Sequence, residues 1–453
     1  MTTSPPATAA HTDTGGWAGH PRGLSTLFFT EMWERFSYYG MRALLILYMT
    51  AAVTSGGLGF ETPRAAAIYG WYTFSVYALA IPGGWVADRF LGQYRSVLLG
   101  GIIIALGQFS LALAPLPFFF SGLTLIAVGT GLLKPNISTM VGSLYDTEDA
   151  RRDAGFSLFY MGINLGAMIA PLVVGTLGQR VDWHVGFAVG GVGMTLGLIQ
   201  YVLGKPRLMP ALQRLDARNP APARAAVTRP ATGLAGGFSA AEWKRIAAIG
   251  VFFVFSTLFW GAFEQAGSSL NLFADRHTKL SVLGFTFPST WFQSLNSLFI
   301  IAFAPMFAWA WVALAKSNRE PSSPAKFGWG LVLVGLGFLL LVPAATFAEG
   351  GTLVSPAWLV GVYLLHTYGE LCLSPVGLSL VTKLAPQRIV GLMMGVWFLS
   401  IASGNKVGGW VAGFFETLPL PLLFGAVAGT TIGSAVVLVL LIRPVRKLMG
   451  GVH

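Results

Sequence analysis

The stretch "EMWERFSYYG" (residues 31–40) lies between "LSTLFFT" (24–30) and "MRALLILYM" (41–49), so two glutamates and an arginine interrupt an otherwise apolar run. A helix that crosses a bilayer needs about 20 mostly apolar residues. Residues 24–50 supply that length only if their charges are tolerated. Read as an α-helix, Glu31, Glu34, Arg35, Tyr38 and Arg42 fall at i, i+3, i+4, i+7 and i+11, one stripe on one face. Charge on a helix of this length predicts a bundle with the stripe turned inward, because ionisable side chains facing lipid are costly.

The rest of the chain agrees. Of 453 residues, 54% are hydrophobic and only 10% charged, against roughly 25% charged in soluble domains, and the mean hydropathy is +0.66. The chain reads as an all-α integral membrane protein. Twelve spans are expected, near 24–50, 65–87, 96–115, 118–142, 155–178, 184–204, 244–266, 288–315, 327–347, 356–383, 388–414 and 419–442. A transmembrane barrel would instead show short alternating segments. Residues 1–23 are polar, without the basic start and apolar core of a signal peptide, and read as a disordered cytosolic tail. Residues 205–243 are rich in Pro, Ala and Arg, lack a spanning run, and read as a cytosolic linker. The expected plan is therefore a six-helix bundle at 24–204, the linker, a second bundle at 244–443, and a cytosolic tail at 444–453.

The net charge of +11 does not mark a nucleic-acid binder. Such a footprint clusters on one soluble face, whereas here the basic residues follow the spans. With both termini inside, inner loops and tails hold 21 of the 29 Lys and Arg residues, and outer loops hold only Arg64, Arg180, Arg276 and Lys279. That asymmetry places both termini in the cytoplasm. The single cysteine, Cys372, allows no intrachain disulfide.

The spans contain four acids (Glu31, Glu34, Glu264, Glu370) and four bases (Arg35, Arg42, Lys134, Lys406). Depth along each span matches Arg42 with Glu264 near the outside and Lys134 with Glu370 near the midplane. Each pair links the two halves and is expected to act in gating, the alternative being a static buried bridge. Lys406, near an outer end, reads as a side chain that snorkels. His366, one turn before Glu370, reads as a satisfied interior histidine, with proton handling as the alternative. Trp260, Trp397, Asn164 and Asn296 add amphipathic groups within spans. Pro135, beside Lys134, and Pro375, after Glu370, fit helices that line a cavity.

"EMWERFSYYG" resembles the ExxERFxYYG signature of the proton-dependent oligopeptide transporters of the major facilitator superfamily. "FYMGINLGA" (159–167), "GELCLSPVGLS" (369–379) and "MGVWFLS" (394–400) resemble that family's motifs on its fifth, tenth and eleventh helices, and "GGWVADRFLGQYRS" (83–96) its superfamily's loop after the second helix. The resemblance implies the major facilitator fold, with twelve transmembrane helices in two six-helix bundles. It also implies import of di- and tripeptides with protons as the coupling ion, no cofactor or metal, and a functional monomer in the cell membrane. By the same resemblance, Glu31, Glu34 and Arg35 couple protons. Arg35 and Lys134 receive the peptide carboxylate, and Glu370 its amino terminus. Asn164 and Asn296 bond the peptide backbone, while Tyr38, Tyr39, Trp260 and Trp397 line side-chain pockets. Among Tyr69, Tyr72 and Tyr77, spacing to Gly83–Gly84 favours Tyr77 as the tyrosine of the second helix. Within the family, a nitrate or other metabolite symporter is the alternative. The full acid–acid–arginine triplet favours peptides. An enzyme would need a nucleophile–base or metal constellation. The six histidines do not cluster in sequence, and no HExxH or GxSxG occurs.

Overall fold

The computed structural model describes residues 13–146, 149–218 and 238–450, almost all of them helical. In chain order the helices are α1 (Gly23–Thr50), α2 (Thr62–Ala78), α3 (Ala80–Val86), α4 (Gln93–Leu111), α5 (Leu116–Ser143), α6 (Arg152–Ala170), α7 (Thr176–Arg180), α8 (Trp183–Leu203) and α9 (Lys205–Arg218). After the linker come α10 (Ala240–Phe263), α11 (Ser269–His277), α12 (Ser294–Lys316), α13 (Ser323–Glu349), α14 (Ala357–Leu384), α15 (Val390–Ala412), α16 (Leu420–Leu440) and α17 (Ile442–Met449). The pairs α2–α3, α6–α7 and α10–α11 each continue through a short irregular turn, so twelve passes result. A two-stranded hairpin, Ser281–Val282 with Phe285–Thr286, sits between α11 and α12.

By length and apolarity alone, nine helical stretches among the described residues qualify as membrane spans. The passes that fall short are α1, α2–α3 and α14. In α1 the charges of residues 31–42 dilute the window, α2 is a short 17-residue helix, and α14 carries His366, Thr367 and Glu370. In α1 and α14, candidate site residues are what depress the signal.

Close approach of the passes rests on small residues, as membrane packing requires where apolar attraction between helices is weak. A Cβ on Gly107 would stand 2.9 Å from the Gly122 carbonyl, which lets α4 and α5 touch. Between the two halves, a Cβ on Gly70 would stand 3.1 Å from the Cα of Gly409, so α2 and α15 meet backbone to backbone.

Three expectations about the polar segments need correction or comment. Residues 1–12 of the predicted tail lie outside the described residues, but 13–22 are folded against the bundle rather than disordered. Asp13 accepts the Gly15 and Arg22 amides, His20 Nδ1 lies 2.9 Å from the Tyr145 hydroxyl, and Arg151 Nη1 donates to Gly19 O. Hydrogen bonds from Arg151 also hold the Asp149 carboxyl down at about 2. The start of the predicted linker is the helix α9, whose Leu208, Ala211 and Leu215 are buried. Arg214 Nη1 donates to the free carbonyls of Ser143 and Leu144 at the end of α5, at 3.2 and 2.8 Å. The i, i+3, i+7 spacing of those apolar residues was the missed signal, obscured by Pro206 and Pro210. Residues 219–237 of the linker lie outside the described residues. In the predicted C-terminal tail, α17 is a helix with Val445 and Met449 buried.

Candidate functional site

Two charge clusters lie along α1. In the first, Arg35 Nε reaches Glu31 Oε1 at 3.2 Å and also Glu34 Oε2. All three side chains are essentially fully buried. Among the described residues, Glu31 Oε2, Glu34 Oε1 and Arg35 Nη2 have no hydrogen-bond partner. Two carboxylates thus share one guanidinium, and the cluster carries an excess negative charge and spare bonding capacity in a place where both are costly.

Two turns on, Arg42 Nη2 pairs with Glu264 Oε2 at 2.5 Å, with both side chains under 10% exposed. Arg42 Nε donates to the Tyr69 hydroxyl at 2.7 Å, and its guanidinium lies over the Tyr39 ring at 5.6 Å. The local fold positions Glu264. The helix α10 ends at Phe263, and Glu264–Gly267 forms a tight turn that carries the carboxylate across to α1. Further bonds tie the two halves at this end, which the Lys and Arg distribution reads as extracellular. Asn271 Nδ2 donates to Ala43 O at 2.8 Å, and Gln179 Nε2 to Ser289 Oγ at 2.8 Å. Trp291 Nε1 donates to Thr176 Oγ1 at 2.8 Å, and Thr62 Oγ1 to Glu416 Oε1 at 2.6 Å.

Between the halves lies a cavity of about 160 Å³. The first half lines it with Tyr39 and Arg42 of α1, Tyr77 of α2 and Tyr160, Ile163, Asn164 and Ala167 of α6. The second half contributes Trp260, Phe263 and Glu264, Asn296 and Ser297 of α12, and Tyr363, His366 and Glu370 of α14. Since Arg42 is already paired with Glu264, the Glu370 carboxylate is the charge of the wall held by a neutral partner: Asn296 Nδ2 donates to its Oε2 at 3.0 Å and to Thr367 Oγ1 at 3.1 Å. Such a carboxylate is suited to take an ammonium group.

The site residues named from the sequence divide into those at this cavity and those away from it. Tyr39, Arg42, Tyr77, Asn164, Trp260, Glu264, Asn296 and Glu370 line it. Asn164 spends its amide on Tyr160 O of its own helix, at 3.0 Å. Glu31, Glu34, Arg35, Tyr38, Lys134 and Trp397 are not among the lining residues. Tyr38 is buried with the Arg35 guanidinium over its ring, and Lys134 Nζ lies 4.0 Å from the centroid of Tyr77, so one ring separates Lys134 from the cavity.

Two expectations are corrected for this conformation. Among the described residues Lys134 and Glu370 form no ion pair: the first stacks on Tyr77 and the second bonds Asn296, because depth along a helix does not set the direction of a side chain. Trp397 is packed in the core against Phe327 and Gly377 rather than in a side-chain pocket. Lys406 lies over the exposed Trp71 ring at 3.6 Å, outside the cavity. His366 lines the cavity, with its ring beside those of Phe263 and Phe338. Sequence reading missed Tyr160 and Tyr363. Tyr160 lies inside the quoted "FYMGINLGA", and Tyr363 lies one helical repeat before Glu370. Among the described residues no group of His, Cys, Asp and Glu is assembled to hold a metal.

The comparisons with known proteins cover nearly the whole chain. A family model described as PTR2, POT family, matches residues 94–216 and 238–425. The "Peptide transporter YePEPT" of Yersinia enterocolitica is 42% identical over 491 residues, covering 95% of this chain and 96% of that protein. The "Di-/tripeptide transporter" of Lactococcus lactis is 38% identical over 490 residues, covering 96% and 98%. A crystal structure of a peptide transporter POT mutant in complex with alafosfalin is similar at a TM-score of 0.87 and 41% identity, covering 97% and 98%.

Proposed function

The chain belongs to the POT family, whose members are transporters and not enzymes, and from that premise we propose that it imports di- and tripeptides together with protons. It is a multi-pass membrane protein with the major facilitator fold. In the proposed setting it lies in the cell membrane with both termini in the cytoplasm and works as a monomer, with protons and no cofactor.

The observation that carries the reading is the Glu370 carboxylate, set in a cavity between the halves with only an amide to hold it. A short peptide is a zwitterion of nearly fixed span whose side chains vary. A site that fixes both ends and leaves aromatic-walled room between them selects length rather than sequence. Glu370 takes the amine, and Asn164 and Asn296 face the backbone. Tyr39, Tyr77, Tyr160 and Trp260 wall the side-chain space. The carboxylate goes to Arg35 and Lys134, whose forked and point-like cations suit it. In this conformation Tyr77 screens Lys134 from the cavity, so binding includes a turn of that ring.

Proton coupling falls to Glu31 and Glu34. With both ionised, they compete for Arg35. A proton on either one removes the excess negative charge and loosens Arg35 toward the peptide carboxylate, so that proton uptake and binding meet in one side chain. The Arg42–Glu264 pair serves as the outer gate, and Lys134 and Glu370 act as cross-half gating charges bridged by substrate. The test is uptake of labelled dialanine into proteoliposomes with an imposed inward proton gradient. Gradient-dependent accumulation is expected, and its absence under every gradient tried would overturn the proposal.

A further inference from the structure

A second cavity, open to solvent and of about 610 Å³, lies where α12, α13, α14 and α17 end on the face read as cytoplasmic. Its charge is one-sided: Lys326, Lys383 and Arg446 line it together with one carboxylate, Glu320. Lys326 Nζ binds Glu320 Oε1 at 2.5 Å and lies 4.6 Å from the Trp311 ring centroid. The Lys326 side chain is only 10% exposed, whereas Glu320 is 43% exposed and hangs at the rim. Ser322, the residue that caps α13, makes no capping bond with its side chain. The positive end of a 27-residue helix therefore opens toward the cavity beside these cations.

Beside Ser379, α14 adds the apolar side chains Pro375, Val376 and Leu380 to the wall. Next to it, α12 is the least buried of the qualifying spans, with Trp309 and Val312 exposed at 72% and 54%. A basic, hydroxyl-bearing chamber thus adjoins a helix face that meets acyl chains. A soluble anion needs the first feature but not the second. A phospholipid needs both.

We propose that this cavity binds the phosphate headgroup of an anionic phospholipid from the cytoplasmic leaflet, with Lys326, Lys383 and Arg446 around the phosphate and Trp311 beside the glycerol region. Basic pockets between helices on this side attract such headgroups, each cation near the surface contributing about 1 kcal/mol. Glu320 acts as a built-in competitor that leaves Lys326 when a phosphate arrives. Lys383 and Glu370 share α14, so a headgroup held here steadies the inner end of the helix that carries the transport carboxylate. The proposal rests on the inner-face assignment and not on which substrate is carried.

Native mass spectrometry of the full chain in detergent tests it, using titration with dioleoyl phosphatidylglycerol against dioleoyl phosphatidylcholine. The first phosphatidylglycerol should bind at least about tenfold more tightly, from two or more cation contacts at ~1 kcal/mol each. Arg446→Gln, at an exposed position that leaves the fold intact, should reduce this preference, and Lys326→Gln with Arg446→Gln should abolish it. Glu320→Gln, which frees Lys326, should increase it. An unchanged preference in the double variant, or a decrease in Glu320→Gln, would overturn the proposal. Equal displacement of phosphatidylglycerol by inorganic phosphate would reassign the cavity to a soluble anion and overturn the lipid assignment.

Discussion

Glu264→Gln is the perturbation whose size follows most directly from the structure. The pair it breaks is 2.5 Å long and more than nine-tenths buried on both sides, so screening by solvent does not discount it. Removing one partner of such a pair strands the other charge and costs about 3–5 kcal/mol. The cost falls on the arrangement in which Arg42 and Glu264 meet, so the ratio of outer-closed to outer-open forms should fall by roughly a hundred- to a few thousandfold, at about 1.4 kcal/mol per factor of ten. Spin labels report this without touching the latch. Val53 and Leu283 are exposed residues of opposite halves at that end, and substituting cysteine at both in a Cys372→Ala background gives one inter-half distance. The wild type should show a short distance, and Glu264→Gln a growing longer one. Arg42→Gln should behave alike. The double variant should recover part of the short population, because no charge is then left unpaired. An unchanged single distance in both well-folded single variants would refute the gate assignment.

Glu370→Gln should weaken dipeptide binding about 10- to 100-fold, the worth of one charge-assisted bond, while leaving binding of an N-acetylated dipeptide little changed; calorimetry on detergent-solubilised protein measures both. Glu31→Gln and Glu34→Gln should abolish gradient-driven accumulation yet spare counterflow, where labelled peptide exchanges for unlabelled without net proton movement. Partial burial raises the Glu416 carboxyl, but hydrogen bonds from Thr62 and Arg276 prevail and hold it below its ordinary 4.5. With the folded value depressed, its contribution is complete above pH 4.5 and fades as pH drops through the folded value, so Glu416→Gln should flatten the acid limb of thermal stability, by less than about 1 kcal/mol at this exposed bridge. Arg214→Ala should lower the unfolding midpoint by roughly 1 °C for each kcal/mol lost in a chain of this length, read by differential scanning fluorimetry, since it frees two carbonyls at the end of α5.

What the sequence made legible follows from which forces are local. Span length, the basic inner loops and the helical stripe on α1 are one-dimensional properties, and the twelve passes and the Arg42–Glu264 contact were readable from them. Depth matching found that pair because both side chains also face the same interface. It failed for Lys134 and Glu370, where the facing direction differs: Lys134 turns to Tyr77 and Glu370 to Asn296. Trp397 shows the same limit. An aromatic residue in a motif can line a cavity or wedge against a glycine, here Gly377, and only packing distinguishes the two. The docked helix α9 was hidden because prolines mark linkers by composition, whereas Leu208, Ala211 and Leu215 bury through a periodicity spanning only two turns.

The two clusters on α1 differ in charge balance, and that difference explains why one helix can serve two purposes. Arg42 and Glu264 neutralise each other, and their remaining groups are satisfied by Tyr69 and the Tyr39 ring. Such a pair suits a contact that breaks when the halves separate. Glu31, Glu34 and Arg35 set two carboxyls against one guanidinium and leave three polar atoms without a partner among the described residues, which is what the proposed proton coupling needs. Arg35 and Arg42 stand seven residues apart, roughly 10 Å along the helix axis. One continuous helix carries both side chains. Under the proposed coupling, α1 is the element that would carry a shift at Arg35 to the Arg42 contact. Inserting a helix-breaking Gly–Gly at Ser37–Tyr38 should uncouple peptide binding from outer-gate distance while leaving each measurable, and retention of full coupling in that variant would remove α1 as the link.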